Sequence, residues 1–416
     1  MIGANIRKDL PLAGHRLRKA ALAGARVMFV NPVDYEVFFP VHAKAITAPS
    51  QLAATLAGIA ACYPDSGKDA AGAVRDAIAA ASPDATQRAM ATALQEASHA
   101  TVLLGAVASA HPQYSLLKAL AGVIAAHSGA VLGILPEAAN STGAWLAGVL
   151  PHRGPNGARV AVPGLDAQAM LAAPRQAYLL FNVEPAHDCH DPAQAMAAMR
   201  AAGFVVSVSP WASPALREVA DVLLPIGPFT ETSGTFVNAE GRWQSFRGVA
   251  SPLGESRPGW KVLRVLGNQF GLDGFGQNSS EAVRDTLLGQ TGTLNLDNTQ
   301  PAGPVAAGQA GAAGAGLERI GDVAINSADP LVRRAASLQM TPDAGAAALV
   351  HLNARAAERH GVRDGDTVTV TQGTGSKVMD VCVDARVADG CAWIQAGTVA
   401  AAALGAAFGP VTIERV

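Results

Sequence analysis

The sequence predicts an α/β protein with doubly wound, mostly parallel Rossmann-like sheets followed by a small C-terminal β-barrel. Three observations carry that expectation. Strand candidates alternate with helical patterns through most of the chain up to residue 224, short strands bounded by turn residues recur after residue 350, and half of the 416 residues are hydrophobic against 15% charged. Such alternation is the mark of a parallel sheet flanked by helices, and a chain this long has room for two or three sizeable cores.

The elements follow in order. A helical pattern at 14–22 leads through Gly24 into a strand at 26–30 that ends at Asn31 and Pro32. A second set runs from a strand at 101–107, through a helix at 115–127, to a strand at 130–135. The third is the clearest: strand 177–183, helix 192–202, strand 204–208, helix 214–219 and strand 221–224, which together define consecutive right-handed crossovers. From 289 to 316 the chain is dominated by Gly, Ala, Thr, Pro and Asn, too little apolar area to offset ordering entropy. Beyond it come a strand at 350–353, a short helix at 354–360, and two strands at 367–371 and 377–384 around a glycine-bearing turn. A last strand at 392–395 completes a barrel-like set. The expected organisation is an α/β region over 1–288 in one lobe or two interleaved ones, a Gly/Ala/Pro-rich linker over 289–328, and a barrel domain over 329–416.

Composition excludes several classes of function. Lys and Arg number 31 against 33 Asp and Glu, so no basic stripe points to nucleic acid. The four cysteines, Cys62, Cys189, Cys382 and Cys391, are scattered without a CxxC pair, which offers neither a disulfide framework nor cluster spacing. The stretches 119–135 and 396–410 are Ala- and Gly-rich and read as buried elements rather than membrane spans.

Residues 220–246 are the most informative stretch, because a buried strand closed by Pro225 runs into polar and glycine residues that include Glu231, Gly234, Asn238 and Glu240. Loops beyond the carboxyl ends of parallel strands are where such sheets bind ligands. Other candidates are weaker. His187, Asp188, Cys189, His190 and Asp191 form the one cluster with metal-ligand chemistry, yet Asp191 stands ready to cap a helix ahead of Pro192. Gly67 and Lys68 lack the residues of a phosphate loop, and Gly271 to Gly276 reads as a helix cap and turn. Arg333 and Arg334 suit either an ordinary surface or a carboxylate clamp.

A Gly-Ala-Asn turn, a helix, a strand ending in Asn-Pro, the ADVLLP to EGRWQ segment and a DGDTVTV barrel strand occur in this order. In that order the chain resembles the molybdopterin oxidoreductase superfamily over nearly its whole length outside 289–316. More narrowly, GANIRKDLPLAGHRLRKA (3–20), FNVEPAHDCHD (181–191) and DPLVRRAASLQMT (329–341) resemble the G-type large peripheral-arm subunit family of bacterial respiratory complex I, an NADH:quinone oxidoreductase.

The resemblance implies several things. In that family an N-terminal cysteine-rich region binds iron-sulfur clusters, and this chain has none of those ligands, so it reads as a fragment, a truncated form or a split-gene product. The strand ahead of Gly3 to Asn5 is expected before Met1, leaving a sheet edge prone to association. Gly3, Asn5, Asn31, Glu231, Gly234 and Asn238 correspond to a pterin cleft. The superfamily's Arg-Pro-Gly-Thr-Asp loop is replaced by ITAPSQ at 46–51, which weighs against retained molybdopterin and makes the cleft vestigial, with no metal, no catalytic residue and no cofactor in this piece. The implied role is a catalytically silent structural and assembly portion of the peripheral arm. Its partners would be the other complex I peripheral-arm subunits, on the cytoplasmic face of the bacterial inner membrane and without a span of its own. The alternatives are a piece of an active molybdenum or tungsten bis-pterin enzyme of the formate dehydrogenase or nitrate reductase type, and a freestanding α/β binding protein.

Overall fold

The computed structural model describes residues 1–68, 70, 72–292, 305 and 316–416. The chain divides into two compact units, one combining Met1–Glu137 with Asp297–Val416 and the other spanning Ala138–Leu296.

The first unit is built on the parallel strands β1 (Met28–Asn31), β2 (Ala43–Ile46), β3 (Thr101–Leu104) and β4 (Val131–Ile134). Ile2 bridges Val30 and Leu104, so the order is β2, β1, Ile2, β3, β4. Its amide donates to Leu103 O at 2.8 Å, its carbonyl accepts Gly105 N at 2.9 Å, and Gly3 N donates to Val30 O at 2.9 Å. The central strand position expected ahead of Met1 is thus taken, between β1 and β3, by residues 1–3 themselves. Successive side chains point to opposite faces of a strand. Ile2, Val30 and Leu104 pack on the helices Leu52–Ala61 and Tyr114–Ser128 through Leu56, Leu117, Leu120 and Ile124, while Phe29 and Val27 face the helix Pro11–Leu22. The alanine-rich helix Leu52–Ala61 is buried along most of its length, and its small residues let it lie close to Tyr114–Ser128.

The second unit holds β5 (Ala177–Phe181), β6 (Phe204–Ser209), β7 (Val222–Gly227), β8 (Gly234–Val237), β9 (Trp243–Phe246) and β10 (Arg257–Pro258). Its parallel sheet runs β10-β7-β6-β5. Asp191 and Ser213 cap the helices Pro192–Ala201 and Pro214–Val219, each with proline in its first turn. The polar stretch after β7 is not a long loop. β8 and β9 pair antiparallel within it, joined across Phe236 and Phe246, whose rings meet at 5.0 Å. Two aromatic-bearing segments around a turn outweigh the local polarity, because cross-strand ring contact stabilises so short a hairpin.

The C-terminal strands β11 (Leu317–Ile320), β12 (Val350–Leu352), β13 (Thr367–Gln372), β14 (Gly375–Val383), β15 (Cys391–Trp393) and β16 (Phe408–Arg415) close into a barrel in the order β11-β15-β12-β14-β13-β16. Val350, Leu352, Val368, Val370, Val381, Ile394 and Val411 fill its interior. Leu317–Ile320, placed in the linker by its neighbours' composition, is a full barrel strand pairing with β15 and β16. The rest of that Gly/Ala/Pro-rich segment lies largely outside the described residues. Among the described residues no helix is long and apolar enough to cross a membrane.

Candidate functional site

The expected ligand edge of the first unit lies at the carboxyl ends of residues 1–3, β1, β2 and β3. Gly3 has φ +56°, and a Cβ there would stand 2.4 Å from Ala108 N. Asn31, 2% exposed, closes this edge from the other side: its Oδ1 accepts Ala4 N at 2.9 Å and its Nδ2 donates to Ala4 O at 3.1 Å. Asn5 begins the short helix Ile6–Asp9, and its amide donates to Asp9 Oδ2 at 3.2 Å. The structure thus brings Gly3, Asn5 and Asn31 together, with the polar groups of Asn31 spent on the turn itself.

The barrel of the same unit packs on this edge. Val33, Tyr35 and Val107 share a core with Ile320, Val387, Trp393 and Phe408, flanked by Ile46 and Ala48. Ala388 N donates to Pro32 O at 3.1 Å and Asp34 N to Arg386 O at 2.8 Å. At its centre Asp322 accepts Tyr35 OH at 3.0 Å, Trp393 Nε1 at 2.6 Å and Gln395 Nε2 at 3.2 Å. Burial pushes the Asp322 carboxyl up, against the pull of these three donors, and burial with the neighbouring Asp322 charge drives the Tyr35 phenol well above its ordinary range. Arg386 grips Asp384 through Nε and Nη2 and lies 5.3 Å over the Trp393 ring, while His351 Nδ1 meets the same carboxylate at 3.2 Å. None of this network is visible as a motif. Tyr35 and Asp322 stand 287 residues apart, and a buried Asp among apolar strands is the one local signal.

The ITAPSQ segment has a task here too. Ser50 N and Oγ donate to Glu318 Oε1 and Oε2 at 2.7 and 2.8 Å, joining the turn Pro49–Gln51 to strand β11. Nearby, His111 is 6% exposed with its ring 5.5 Å from Phe408, and burial lowers its pKa to about 4 against a hydrogen bond to the Pro49 backbone.

In the second unit Glu231 Oε2 accepts Leu253 N at 3.3 Å, and Gly234 opens β8 where a Cβ would meet the Phe246 ring. Asn238 Oδ1 accepts Glu240 N and Arg242 N, both at 3.0 Å, so it shapes the hairpin turn. In the His187 to Asp191 cluster, Asp188 Oδ2 accepts Glu184 N at 2.7 Å and Asp191 Oδ1 accepts Gln194 N at 2.9 Å. Burial, then the two aspartates, lift the Cys189 thiol to about 11. Among the described residues no three His, Cys, Asp or Glu side chains converge as a metal site. Gly271, at φ +66°, follows the helix Gly259–Gln269 as the expected cap, and Arg333 and Arg334 close the helix Pro330–Arg334.

Known proteins share both sequence and fold with this chain. Residues 1–269 match the molybdopterin oxidoreductase family, and residues 333–413 match the molydopterin dinucleotide binding domain. The G-type subunit of NADH-quinone oxidoreductase from Mycobacterium bovis is 31% identical over 298 residues, covering 64% of this chain and 35% of that protein. The chain thus spans about a third of the length of this curated relative. A putative formate dehydrogenase of Staphylococcus aureus is 44% identical over 64 residues, covering 15% of this chain and 6% of that protein. In fold, the chain is similar to acetylene hydratase from Pelobacter acetylenicus, with a TM-score of 0.64 and 13% identity over 95% of this chain and 70% of that one.

These matches correct the expectation about the cofactor. The two family models together indicate a molybdopterin cofactor, against the loss of binding expected from ITAPSQ. Those six residues look unsuited to phosphate, but the structure shows Ser50 among them holding the barrel instead. One observation bears on whether this chain suits the group: Gln113 Oε1, at the N-cap of the helix Tyr114–Ser128, is buried with no hydrogen-bond partner among the described residues. An unpaired buried acceptor calls for a ligand with N–H donors, and a pterin carries them. By these matches the chain belongs to the molybdopterin oxidoreductase family.

Proposed function

We propose that the chain is the molybdopterin-oxidoreductase-type portion of the G-type large subunit of an NADH-quinone oxidoreductase, acting as a structural and assembly module of a peripheral arm. The observation that carries this reading is the 31% identity to the mycobacterial G-type subunit over 64% of the chain. The barrel packed on the sheet's carboxyl edge through Tyr35, Asp322 and Trp393 makes sheet and barrel one packed module, which supports it. Its partners are then the other subunits of that arm, at the cytoplasmic face of the membrane, and NADH is oxidised elsewhere in the assembly. From this unit the turn at Gly3 to Asn5 and the side chain of Gln113 would hold the pterin. When bound, that group supplies metal-centred electron- or atom-transfer chemistry. The test is turnover of NADH with an artificial electron acceptor by the purified chain: no turnover is expected, and measurable turnover overturns the reading.

A second reading is a piece of an active pterin enzyme of the formate dehydrogenase type, favoured by the 64-residue match at 44% identity. Formate-dependent dye reduction by the pterin-loaded chain would establish it over the first.

A further inference from the structure

The helix Pro11–Leu22 lays Ala13, Leu17 and Ala21 against Val27 and Phe29 and turns its other side to solvent. At 3.6 residues per turn, Leu12, His15, Arg16, Lys19 and Leu22 fall within an arc of about 120° opposite Leu17 and Ala21. All five are exposed, Leu12 at 81% and Leu22 at 59%. The outward stripe thus carries two leucines about 15 Å apart along the axis, with basic side chains between them. Phe38, 60% exposed, stands beside it. Its carbonyl accepts Arg18 Nε at 3.1 Å, and the Arg7 guanidinium lies 4.1 Å over its ring.

The charge of this surface is local. Lys and Arg number 31 against 33 Asp and Glu in the whole chain, yet residues 10–33 hold Arg16, Arg18, Lys19 and Arg26 and no carboxylate at all. Arg26 pairs with Glu96 at 2.8 Å and Arg7 with Glu36. Arg16, Arg18 and Lys19 have no ion pair among the described residues. Arg16 and Lys19, three residues apart on one face, repel each other, a cost that a matching pair of anions reverses. Arginine and aromatic side chains set among apolar ones are also the composition of interface centres rather than of ordinary surface.

We infer that this face docks an acidic amphipathic helix of a partner protein, with carboxylates one turn apart on Arg16, Arg18 and Lys19 and apolar side chains over Leu12, Leu22 and Phe38. The stripe has the length of about three helical turns, which sets the length of the docked helix. An anionic membrane is the other acidic surface that a basic helix meets. Glu36 opposes it, because this carboxylate sits in the patch as the partner of Arg7 with its side chain 60% exposed. Arg7, Arg16 and Arg18 outnumber Lys19, and guanidinium forks match discrete carboxylates. The docking surface is independent of the proposed function, and either can fail without the other.

The experiment measures fluorescence anisotropy of a labelled helical peptide of Ala, Glu and Leu whose three glutamates and two flanking leucines share one face. A control peptide of the same composition spreads its glutamates round the helix. The purified chain should bind the one-faced peptide about tenfold tighter than the control. Arg16→Glu with Lys19→Glu should cancel that preference, and Leu12→Ala with Leu22→Ala, which leaves the charge alone, should weaken binding about threefold. All four positions are exposed, so both double variants should keep the parent's melting temperature. Equal binding of the two peptides, binding of neither, or an unchanged preference in the charge-reversed variant would overturn the proposal. Vesicles of phosphatidylcholine and phosphatidylglycerol should leave the chain in the supernatant. Co-sedimentation that the charge reversal abolishes would overturn the protein partner in favour of a membrane.

Discussion

Trp393 Nε1 donates to Asp322 Oδ1 at 2.6 Å inside a core that the first sheet and the barrel share. Tyr35 and Gln395 donate to the same carboxylate, so Asp322 accepts three hydrogen bonds and donates none. Leucine matches its size but accepts no hydrogen bond, so the buried Trp393 indole and Tyr35 hydroxyl would lose their acceptor. Asp322→Leu should therefore cost about 2–4 kcal/mol, the penalty of unsatisfied buried donors, read as a fall in the urea midpoint with an unchanged slope. A variant as stable as the parent would mean that the carboxylate is not what joins the two elements.

Asn31 depends on its amide having both a donor and an acceptor, since Ala4 presents N–H to one end and C=O to the other. Asn31→Asp replaces the donating half with an oxygen aimed at the Ala4 carbonyl. A loss of about 2–3 kcal/mol at neutral pH is expected. Protonating the new carboxyl restores a donor, so the loss should shrink as pH falls, and a denaturation series from about pH 7.5 to about 4.5 measures the slope.

His111 gives the parent protein a pH dependence of definite sign. Its pKa falls from 6.5 to about 4 because burial against Phe408 disfavours the imidazolium. Between those values the unfolded chain binds a proton that the folded chain refuses, so this contribution is constant above pH 6.5 and declines as pH drops toward about 4. Fully developed, the shift amounts to about 3 kcal/mol. Comparing the parent with His111→Gln isolates the histidine, and identical pH slopes in the two would count against it.

Gly3 and Gly24 separate backbone strain from collision. Both have positive φ, at +56° and +99°, but a Cβ at Gly24 meets nothing within 4 Å, whereas one at Gly3 enters the Ala108 backbone. Gly24→Ala should cost about 1 kcal/mol from the left-handed conformation alone. Gly3→Ala should cost several times more, about 3–5 kcal/mol, because two backbones must move apart. Thermal melts of the pair check the ratio.

What can be read from the sequence follows from how local each signal is. Pro192–Ala201 and Pro214–Val219 are legible because Asp191 and Ser213 cap them and proline starts them, so their ends are written within a few residues. The hairpin of β8 and β9 is not, since its strands are four residues long and hold together through Phe236 and Phe246. Leu317–Ile320 is hidden for a related reason: its partners Cys391–Trp393 and Phe408–Arg415 lie more than seventy residues away. At the candidate site, strand order alone places Gly3, Asn5 and Asn31 on the carboxyl edge of the sheet. The Tyr35, Asp322 and Trp393 contact needs the barrel folded before it exists.

Gln113 tests the cofactor assignment without relying on activity. Its buried Oε1 has no partner among the described residues, and a buried acceptor left unpaired costs about 1–3 kcal/mol. Replacing it with an apolar group of similar size removes that cost, so Gln113→Leu should melt at or above the temperature of the parent in the pterin-free state. If the same atom receives an N–H of the pterin, the variant should also retain less of the cofactor after expression in a host that makes it. Fluorescence of the oxidised, extracted pterin measures the amount bound per chain. Equal pterin in the two proteins would remove Gln113 from the site, and a large drop in the melting temperature would show that its amide is already satisfied within the fold.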